Sequence, residues 1–166
     1  MTDVTLILGG ARSGKSRRGL ELANLAPKRF LATAEALDDE MAQRIARHQD
    51  ERGTDWDLIE APIEISEVIQ AHTEGSLLLD CLTLWLSNLL HHERDVETET
   101  DLLIAALTES RAKIILVSNE VGLSIAPENA LARRFRDLQG RLNQRVASVA
   151  DRVEFVAAGL PMVLKG

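Results

Sequence analysis

Gly9-Gly10-Ala11-Arg12-Ser13-Gly14-Lys15-Ser16 matches the pattern G-x-x-x-x-G-K-[ST] at every position. This pattern marks a phosphate-binding loop when it joins a buried strand to a helix. Residues 4–8 are apolar and β-branched, which predicts a parallel strand covered on both faces. Residues 17–26 carry apolar side chains at helical spacing and end before Pro27, which predicts the helix. The flanking elements therefore favour a phosphate-binding loop over a glycine-rich turn that binds nothing.

The loop contains the groups that bind a polyphosphate. Its glycines allow backbone N–H groups to point inward, and the N-terminus of the next helix adds a partial positive charge. We expect Lys15 to reach the β- and γ-phosphates of a nucleotide and to act in catalysis, and the Ser16 hydroxyl to bind Mg²⁺. The candidate nucleotide-binding residues of the loop are Gly9, Gly10, Ala11, Arg12, Ser13, Gly14, Lys15 and Ser16.

Composition and charge limit the class of protein. The 166 residues are 45% hydrophobic and 27% charged, which suits one substantial core, so we expect a single domain over residues 1–166. A net charge of −7 and 3% aromatic residues without tyrosine argue against a nucleic-acid-binding protein. The single Cys81 excludes an internal disulfide and suits a reducing compartment. The chain shows no apolar run near ~18 residues and starts with a predicted strand, so we expect no membrane span and a cytoplasmic location.

Strands and helices alternate along the rest of the chain, a pattern typical of a mostly parallel α/β sheet flanked by helices. Further strands are predicted at residues 29–33, 56–59, 77–80, 113–117 and 153–157, and the apolar residues 162–164 can pair at a sheet edge. Further helices are predicted at residues 38–51, 63–72, 82–90, 102–107 and, as the longest, 131–149. The acidic run 91–101 is predicted to be a solvated connection. The predicted fold class is α/β of the P-loop NTPase type.

Two carboxylates follow predicted strands. Ligands of open α/β sheets bind beyond the carboxyl ends of the strands, so Asp80 is expected to face the phosphate loop and help hold Mg²⁺. The alternative is that Asp80 caps the following helix, with Thr83 as a rival cap. Glu120, beside Asn119 after the strand at 113–117, is placed to accept a substrate proton or hold a hydroxyl, or is a solvated loop residue. Spacing alone leaves both interpretations of Glu120 open.

His48 shares one face of the predicted helix 38–51 with Met41 and Ile45. A single histidine on an apolar face is more often a half-buried core residue than a catalyst. However, Arg44 and Arg47 lie close before it, and two guanidiniums lower an imidazole pKa, keep the ring neutral and attract phosphate. Such a histidine can attack an α-phosphate, displace pyrophosphate and form a covalent nucleotidyl intermediate. The other histidines are interpreted as surface residues: His72, His91 and His92.

Several blocks together resemble one family. Besides the phosphate loop, they are Leu37-Asp38-Asp39-Glu40-Met41 with Arg44, Ile45 and His48, Asp80-Cys81-Leu82-Thr83, Ser118-Asn119-Glu120-Val121-Gly122, Pro127-Glu128-Asn129 through Leu131-Ala132-Arg133 and Phe135-Arg136-Asp137, and Gly140-Arg141-Leu142-Asn143-Gln144-Arg145. The chain resembles the bifunctional adenosylcobinamide kinase / adenosylcobinamide-phosphate guanylyltransferase family of cobalamin biosynthesis over nearly its whole length. The phosphate loop alone is unspecific, whereas its combination with the Asn-Glu-Val-Gly and Pro-Glu-Asn blocks is highly specific.

The resemblance implies roles for individual residues. It makes His48 the residue that becomes guanylylated. It also places in the nucleotide site Thr33, Ala34, Glu35, Gln49, Asp50, Glu51, Arg52, Glu60 and Asp80. Some relatives have Glu where this chain has Asp80, a change that shortens the reach and keeps the charge. The resemblance further implies a homotrimer, for which the apolar stripe at residues 82–90 is either a contact surface or part of the core.

The implied reactions use one nucleotide site. ATP or GTP with Mg²⁺ phosphorylates the aminopropanol hydroxyl of adenosylcobinamide; His48 then takes GMP from GTP, and the GMP passes to adenosylcobinamide phosphate. No motif distinguishes ATP from GTP in the kinase step or locates the corrinoid site. The phosphate loop also allows two alternative functions: a monofunctional small-molecule kinase that does not need His48, and a non-catalytic GTP-binding regulator.

Overall fold

A computed structural model of the protein describes residues 2–35 and 55–166. The strands of this part are β1 (Asp3–Gly9), β2 (Lys28–Ala32), β3 (Asp57–Glu60), β4 (Ser76–Asp80), β5 (Lys113–Asn119), β6 (Arg152–Ala157) and β7 (Leu160–Lys165). Its helices are α1 (Lys15–Leu22), α2 (Ile65–Ala71), α3 (Leu82–His91), α4 (Val96–Glu109) and α5 (Ala130–Val149). The helix predicted at residues 38–51 lies outside the described residues.

One sheet joins all of these strands, in the order β3-β2-β4-β5-β1-β6-β7. Strands β1 to β6 pair in parallel, and β7 pairs antiparallel with β6 at the sheet edge. The prediction of a mostly parallel α/β sheet flanked by helices is confirmed, as is the pairing of residues 162–164 at an edge. Since β1 to β6 run in one direction, the residues that follow them meet at one edge of the sheet.

The core lies on both faces of the sheet because successive side chains of a strand point in opposite directions. Leu77 and Leu79 of β4 belong to the larger cluster, to which helices α2 to α5 contribute. Leu78 belongs to the second cluster, where α1 packs. Gly19 allows α1 to approach closely, since a Cβ there would come within 2.7 Å of Leu78 Cδ1.

The acidic run 91–101 is mostly exposed, as predicted, but the connection covers only residues 92–95, because the chain is helical from Val96 onward. Helix α4 begins at Val96, and the Asp95 side chain accepts a hydrogen bond from Glu97 N over 3.1 Å as the N-cap. Acidic residues in a first helical turn interact favourably with the helix dipole. Glu99 is also buried and paired with Arg94. These residues therefore start a helix, although their composition resembles that of a loop.

Two further expectations change, and one open alternative is decided. Helix α1 ends at Leu22, where residues 17–26 were expected to be helical. His72 was interpreted as a surface residue, yet it is 2% exposed at the end of α2, against β2. The apolar stripe of α3 belongs to the core, since Leu82, Trp85, Leu86 and Leu89 are fully buried within this one chain. Leu90, the last residue of the predicted stripe, is half-buried.

The predicted long helix is present as α5, the longest among the described helices. Only the second half of the apolar face of α5 packs into the core: Leu142 and Val146 are buried, whereas Leu131, near the start of the helix, is exposed. In the described parts of the chain, no helix has both the length and the apolar character needed to cross a bilayer.

Candidate functional site

The predicted site residues that the structure describes lie at the carboxyl edge of the sheet. Ala32, the last residue of β2, pairs with Glu60 on one side and with Asp80 on the other. Gly9, the last residue of β1, pairs with Asn119 and Val156. These strands all end at the same edge of the sheet. That edge therefore carries the phosphate loop, residues 33–35, Glu60, Asp80 and Glu120. The expectation that Asp80 lies at the same edge of the sheet as the phosphate loop agrees with this topology.

Close backbone contacts require glycine at two positions of the phosphate loop. A Cβ on Gly9 would lie 2.5 Å from the Val156 carbonyl oxygen. Gly14 has a φ of 99°, and a Cβ there would lie 3.2 Å from Gly159 Cα. Gly159 N also donates to Ser13 O over 2.8 Å, so the loop rests on the connection between β6 and β7. Helix α1 begins at Lys15, and the unpaired N–H groups of a first helical turn are the groups that bind phosphate.

Lys15 is folded back across the loop. Its side chain is 7% exposed, and Nζ donates to Gly10 O and, over 3.4 Å, to Ser13 Oγ. Burial lowers the pKa of Lys15, while interactions with Cys81 and Asp80 act in the opposite direction. The interaction with Asp80 brings the carboxylate at the end of β4 into the electrostatic environment of the phosphate loop. A bound phosphate would satisfy the ammonium group better than a carbonyl and a hydroxyl do.

Neither proposed helix cap is present at α3. The N-cap is Cys81, which makes no side-chain cap hydrogen bond, and the Thr83 hydroxyl accepts from Asn119 N over 2.9 Å. The alternative interpretation of Asp80 and Thr83 as caps is therefore wrong. Asp80 is half-buried at the carboxyl edge of the sheet.

Thr33 holds the segment after β4. Its side chain is fully buried; Oγ1 donates to Cys81 O over 2.8 Å and accepts from Cys81 N over 2.9 Å. Burial raises the pKa of the Cys81 thiol to about 12, and Asp80 contributes in the same direction, so this thiol is protonated and inert. The Thr33 hydroxyl therefore fixes the residue next to Asp80.

The other candidates line the same edge farther from the loop. Glu35 contacts His92, with 3.0 Å between Oε1 and Nε2, so this surface histidine neighbours a predicted nucleotide-site residue. Ala34 is half-buried, and Glu60 is exposed at the end of the edge strand β3. His48, Gln49, Asp50, Glu51 and Arg52 lie outside the described residues, as do Arg44 and Arg47.

A buried polar network beneath the end of β5 was missed by the sequence analysis. Gln139 Nε2 donates to Ser118 Oγ over 2.9 Å and to Asn143 Oδ1 over 3.0 Å, and Ser118 Oγ donates to Asn143 Oδ1 over 2.6 Å. Asn143 Nδ2 donates to Asn119 O over 3.1 Å. The available signal was the pair of amides four residues apart beside the apolar stripe of α5, because buried amides need partners.

Comparison with known proteins identifies the relatives of this chain. Residues 5–164 match the family described as cobinamide kinase / cobinamide phosphate guanyltransferase. The bifunctional adenosylcobalamin biosynthesis protein CobP of Pseudomonas aeruginosa is 46% identical over 168 residues, which cover 97% of this chain and 96% of that protein. The bifunctional adenosylcobalamin biosynthesis proteins CobU of Salmonella typhimurium and Escherichia coli are 42% and 38% identical over 178 residues, which cover 96% of this chain and 98% of each protein.

A solved structure shows the same fold. An ATPase from the type III secretion system of pathogenic bacteria superposes with a TM-score of 0.54 at 14% identity, covering 97% of this chain. The chain spans 56% of the length of that ATPase. At this identity the likeness concerns the fold alone, which is of the P-loop NTPase type.

Proposed function

The chain belongs to the cobinamide kinase / cobinamide phosphate guanyltransferase family, and from this premise we propose the reactions that its residues perform. It is an enzyme of cobalamin biosynthesis with both activities, and it uses ATP or GTP. In the first proposed reaction, a nucleoside triphosphate phosphorylates the aminopropanol hydroxyl of adenosylcobinamide. In the second, GMP from GTP passes through a guanylyl-histidine to the phosphorylated product, which gives adenosyl-GDP-cobinamide and pyrophosphate.

One observation supports the proposed kinase step: Lys15 is buried inside the phosphate loop and interacts electrostatically with Asp80. Phosphoryl transfer relies mainly on positioning and on stabilising the charge of the transferred group. We assign the first task to the loop backbone, residues 9–16, and the second to Lys15. Among the described residues, the Lys15 ammonium donates to a carbonyl and a hydroxyl and to no carboxylate. Such a lysine gains most from a triphosphate, because the phosphate oxygens then pair with its ammonium.

We propose that Mg²⁺ accompanies the nucleotide and that Ser16 and Asp80 hold it. Among residues 2–35 and 55–166 there is no group of three or more His, Cys, Asp and Glu side chains that could form an all-protein metal site. Such a sparse set fits Mg²⁺, which is commonly bound by one or two protein oxygens together with substrate phosphates. The ion would supply positive charge to the phosphate oxygens.

For the guanylyl step we propose His48 as the nucleophile. Its ring nitrogen attacks the α-phosphorus of GTP, pyrophosphate leaves, and a phosphate oxygen of the phosphorylated cobinamide then displaces the histidine. We propose that the nucleotide also contacts the side chains or backbone of Thr33, Ala34, Glu35, Gln49, Asp50, Glu51, Arg52 and Glu60. The position of residues 33–35 and Glu60 at the carboxyl edge of the sheet supports this assignment.

We further propose that the enzyme is a cytoplasmic homotrimer that binds neither nucleic acid nor membrane. Because Leu82, Trp85, Leu86 and Leu89 are fully buried within one chain, the contact between copies must use other residues. Sedimentation analysis of the purified chain tests the assembly.

Labelling with α-³²P GTP tests the proposed mechanism. The unaltered chain, incubated with Mg²⁺ and this nucleotide, should give a labelled protein band on denaturing electrophoresis. The label should resist alkali and be lost in acid, as expected of a phosphoramidate. His48→Ala should give no band, and His91→Ala, a change at an exposed histidine, should label normally.

Two results would overturn the assignment. A band of full intensity in His48→Ala would exclude His48 as the nucleophile. The absence of a band from the unaltered chain, together with conversion of adenosylcobinamide to its phosphate, would reduce the protein to a kinase.

A further inference from the structure

A carboxylate with no assigned role lies beside the phosphate loop. Glu120 follows β5, the strand that pairs with β1, and its backbone N–H donates to Gly9 O over 2.9 Å. Strands lie about 4.8 Å apart, which puts the carboxyl end of β4 about 10 Å from that of β1 and the end of β3 about 19 Å away. Of the carboxylates described at this edge, Glu120 therefore follows the strand nearest to the loop, whereas Asp80 and Glu60 follow strands farther away.

The backbone around Glu120 is held from both sides. Thr83 of α3 binds the N–H of Asn119, and Asn143 of α5 binds its carbonyl oxygen. The buried amide of Gln139 and the hydroxyl of Ser118 in turn hold Asn143. Hydrogen bonds between buried groups are strong because the local dielectric is low, and those on both sides of Asn119 restrict the end of β5. Within the described residues Gln139 Oε1 has no partner, so the hold comes from the amide nitrogens and the hydroxyls. This network holds the end of β5 in a fixed position beside Gly9.

The Glu120 carboxylate is oriented as well. The N–H of Gly122 donates to Glu120 Oε1 over 2.6 Å, and a Cβ on Gly122 would lie 2.9 Å from that oxygen. Glycine at position 122 thus keeps room for the carboxylate. Glu120 is only half-buried, so part of the residue is open to solvent. A group whose position is fixed by its neighbours suits proton transfer, which depends on short, well-aligned contacts.

We propose that Glu120 is the general base of the kinase step; this inference rests on the function proposed above. Glu120 Oε2 takes the proton of the aminopropanol hydroxyl while the hydroxyl oxygen forms a bond to the γ-phosphorus. The bond from that phosphorus to the β,γ-bridging oxygen breaks, and the nucleoside diphosphate leaves. The proton on Glu120 passes to solvent. Asp80 is less suited to this task, because it lies one strand farther from the loop and interacts with Lys15.

The guanylyl step has no use for this base. The imidazole of a neutral histidine attacks with its own lone pair, and a phosphate acceptor is already ionised at neutral pH. Loss of Glu120 should therefore separate the two activities of one protein. A purely structural role of Glu120 would impair both.

The test compares Glu120→Gln with Glu128→Gln, a change at an exposed carboxylate in the same loop. The amide oxygen of Gln can still accept from Gly122 N, so the turn is kept and only the base is removed. Kinase activity is measured as transfer of label from γ-³²P GTP to adenosylcobinamide. Guanylylation is measured as protein labelling by α-³²P GTP, and GMP transfer with adenosylcobinamide phosphate made by the unaltered chain.

For Glu120→Gln we expect the kinase kcat to fall by about 10²-fold or more, with the KM for nucleotide unchanged. Protein guanylylation and GMP transfer should match those of Glu128→Gln. An undiminished kinase kcat, or an equal loss of all three activities, would overturn the proposal. Gly122→Ala, which crowds the carboxylate without removing it, should lower the kinase kcat alone. If the unaltered chain phosphorylates no adenosylcobinamide, the proposed function fails first, and this inference fails with it.

Discussion

Arg18 of α1 and Glu154 of β6 form a two-pronged ion pair, in which Nε and Nη2 of the guanidinium donate to the two carboxylate oxygens over 2.8 and 2.9 Å. Glu154 is fully buried and also accepts from Arg152 Nε over 2.8 Å. The pair fastens the helix that starts at Lys15 to the strand beside β1. It therefore supports the position of the phosphate loop from the side opposite to β5.

Glu154→Gln should destabilise the fold, because it leaves two arginines without their carboxylate. We expect a loss of about 2 kcal/mol, less than the ~3–5 kcal/mol of a fully buried pair, because both arginines keep access to water. Urea denaturation of both chains measures this loss in the free energy of unfolding. Glu21→Gln removes the exposed partner of Arg18 and should cost about 0.5 kcal/mol or less. Equal losses in the two variants would contradict a special role for Glu154.

The same pair predicts a pH dependence. The hydrogen bond from Arg18 is the largest cause that lowers the pKa of Glu154, and the second bond from Arg152 also contributes. A carboxylate with a lowered pKa in the fold binds fewer protons there than in the unfolded chain. Its stabilisation is present above the unfolded pKa of about 4.5 and is lost as the pH falls through the lower folded value. In Glu154→Gln, the free energy of unfolding should therefore fall less steeply as the pH is lowered below 4.5, as measured by denaturation curves at successive pH values.

His72 predicts a second effect of pH, at a higher value. Arg29 Nη1 lies 3.2 Å from His72 Nδ1, and because a guanidinium only donates, Nδ1 is the acceptor and the ring proton sits on Nε2. Burial lowers the pKa of His72, and the charge of Arg29 lowers it further. The unfolded chain therefore binds a proton more readily than the fold does. Stability should decline as the pH falls below 6.5.

His72→Gln tests this origin. Glutamine can accept from Arg29 but cannot be protonated, so the free energy of unfolding should become less dependent on pH between neutrality and pH values below 6.5. His91→Gln replaces an exposed histidine and should leave the dependence unchanged. If His72→Gln kept the full pH dependence of the free energy of unfolding, that dependence would come from other groups.

Gly9 and Gly10 provide a matched pair for the phosphate loop. A Cβ on Gly9 would lie 2.5 Å from Val156 O and 2.7 Å from Ser13 Oγ, whereas a Cβ on Gly10 meets nothing within 4 Å. We expect Gly9→Ala to cost about 1–3 kcal/mol through overpacking. Gly10→Ala should stay within about 0.5 kcal/mol of the unaltered chain. Thermal denaturation without nucleotide separates this packing effect from phosphate binding, and similar melting temperatures would refute the close contact.

The fold was predictable where local pattern and topology agree. The apolar run of β1, the loop motif and the spacing of α1 define one strand-loop-helix unit, and the alternation of further strands and helices predicts the parallel sheet. The strand of Asp80 could be placed for the same reason. Its carboxyl end must share an edge with the loop in any parallel arrangement.

The missed features depend on residues that are distant in sequence. His72 was assigned to the surface because its burial results from packing against β2, which its neighbours in sequence do not reveal. Asn119 takes its partners from Thr83 and Asn143, which lie 36 and 24 positions away. The start of α4 was missed for a different reason: Asp95 acts as an N-cap and Glu99 is paired, although acidic composition alone suggests solvent.

Thr33 offers the sharpest test of how the edge of the sheet is built. Thr33→Val keeps the shape of the side chain but removes both hydrogen bonds to the backbone of Cys81. Cys81 O still accepts from Trp85 N over 3.2 Å, so the Cys81 N–H is the group left unpaired. An unpaired buried N–H costs about 1–3 kcal/mol, and urea denaturation should show a loss of that order. Because Asp80 directly precedes Cys81 in the chain, nucleotide binding by Thr33→Val should also need more Mg²⁺, as measured by titration at fixed GTP.

Thr33→Ser keeps the hydroxyl and should preserve most of the stability and the Mg²⁺ requirement. A valine variant with undiminished stability and an unchanged Mg²⁺ requirement would exclude a role of the Thr33 hydroxyl in placing Asp80, and a loss in the serine variant alone would assign the effect to the methyl group.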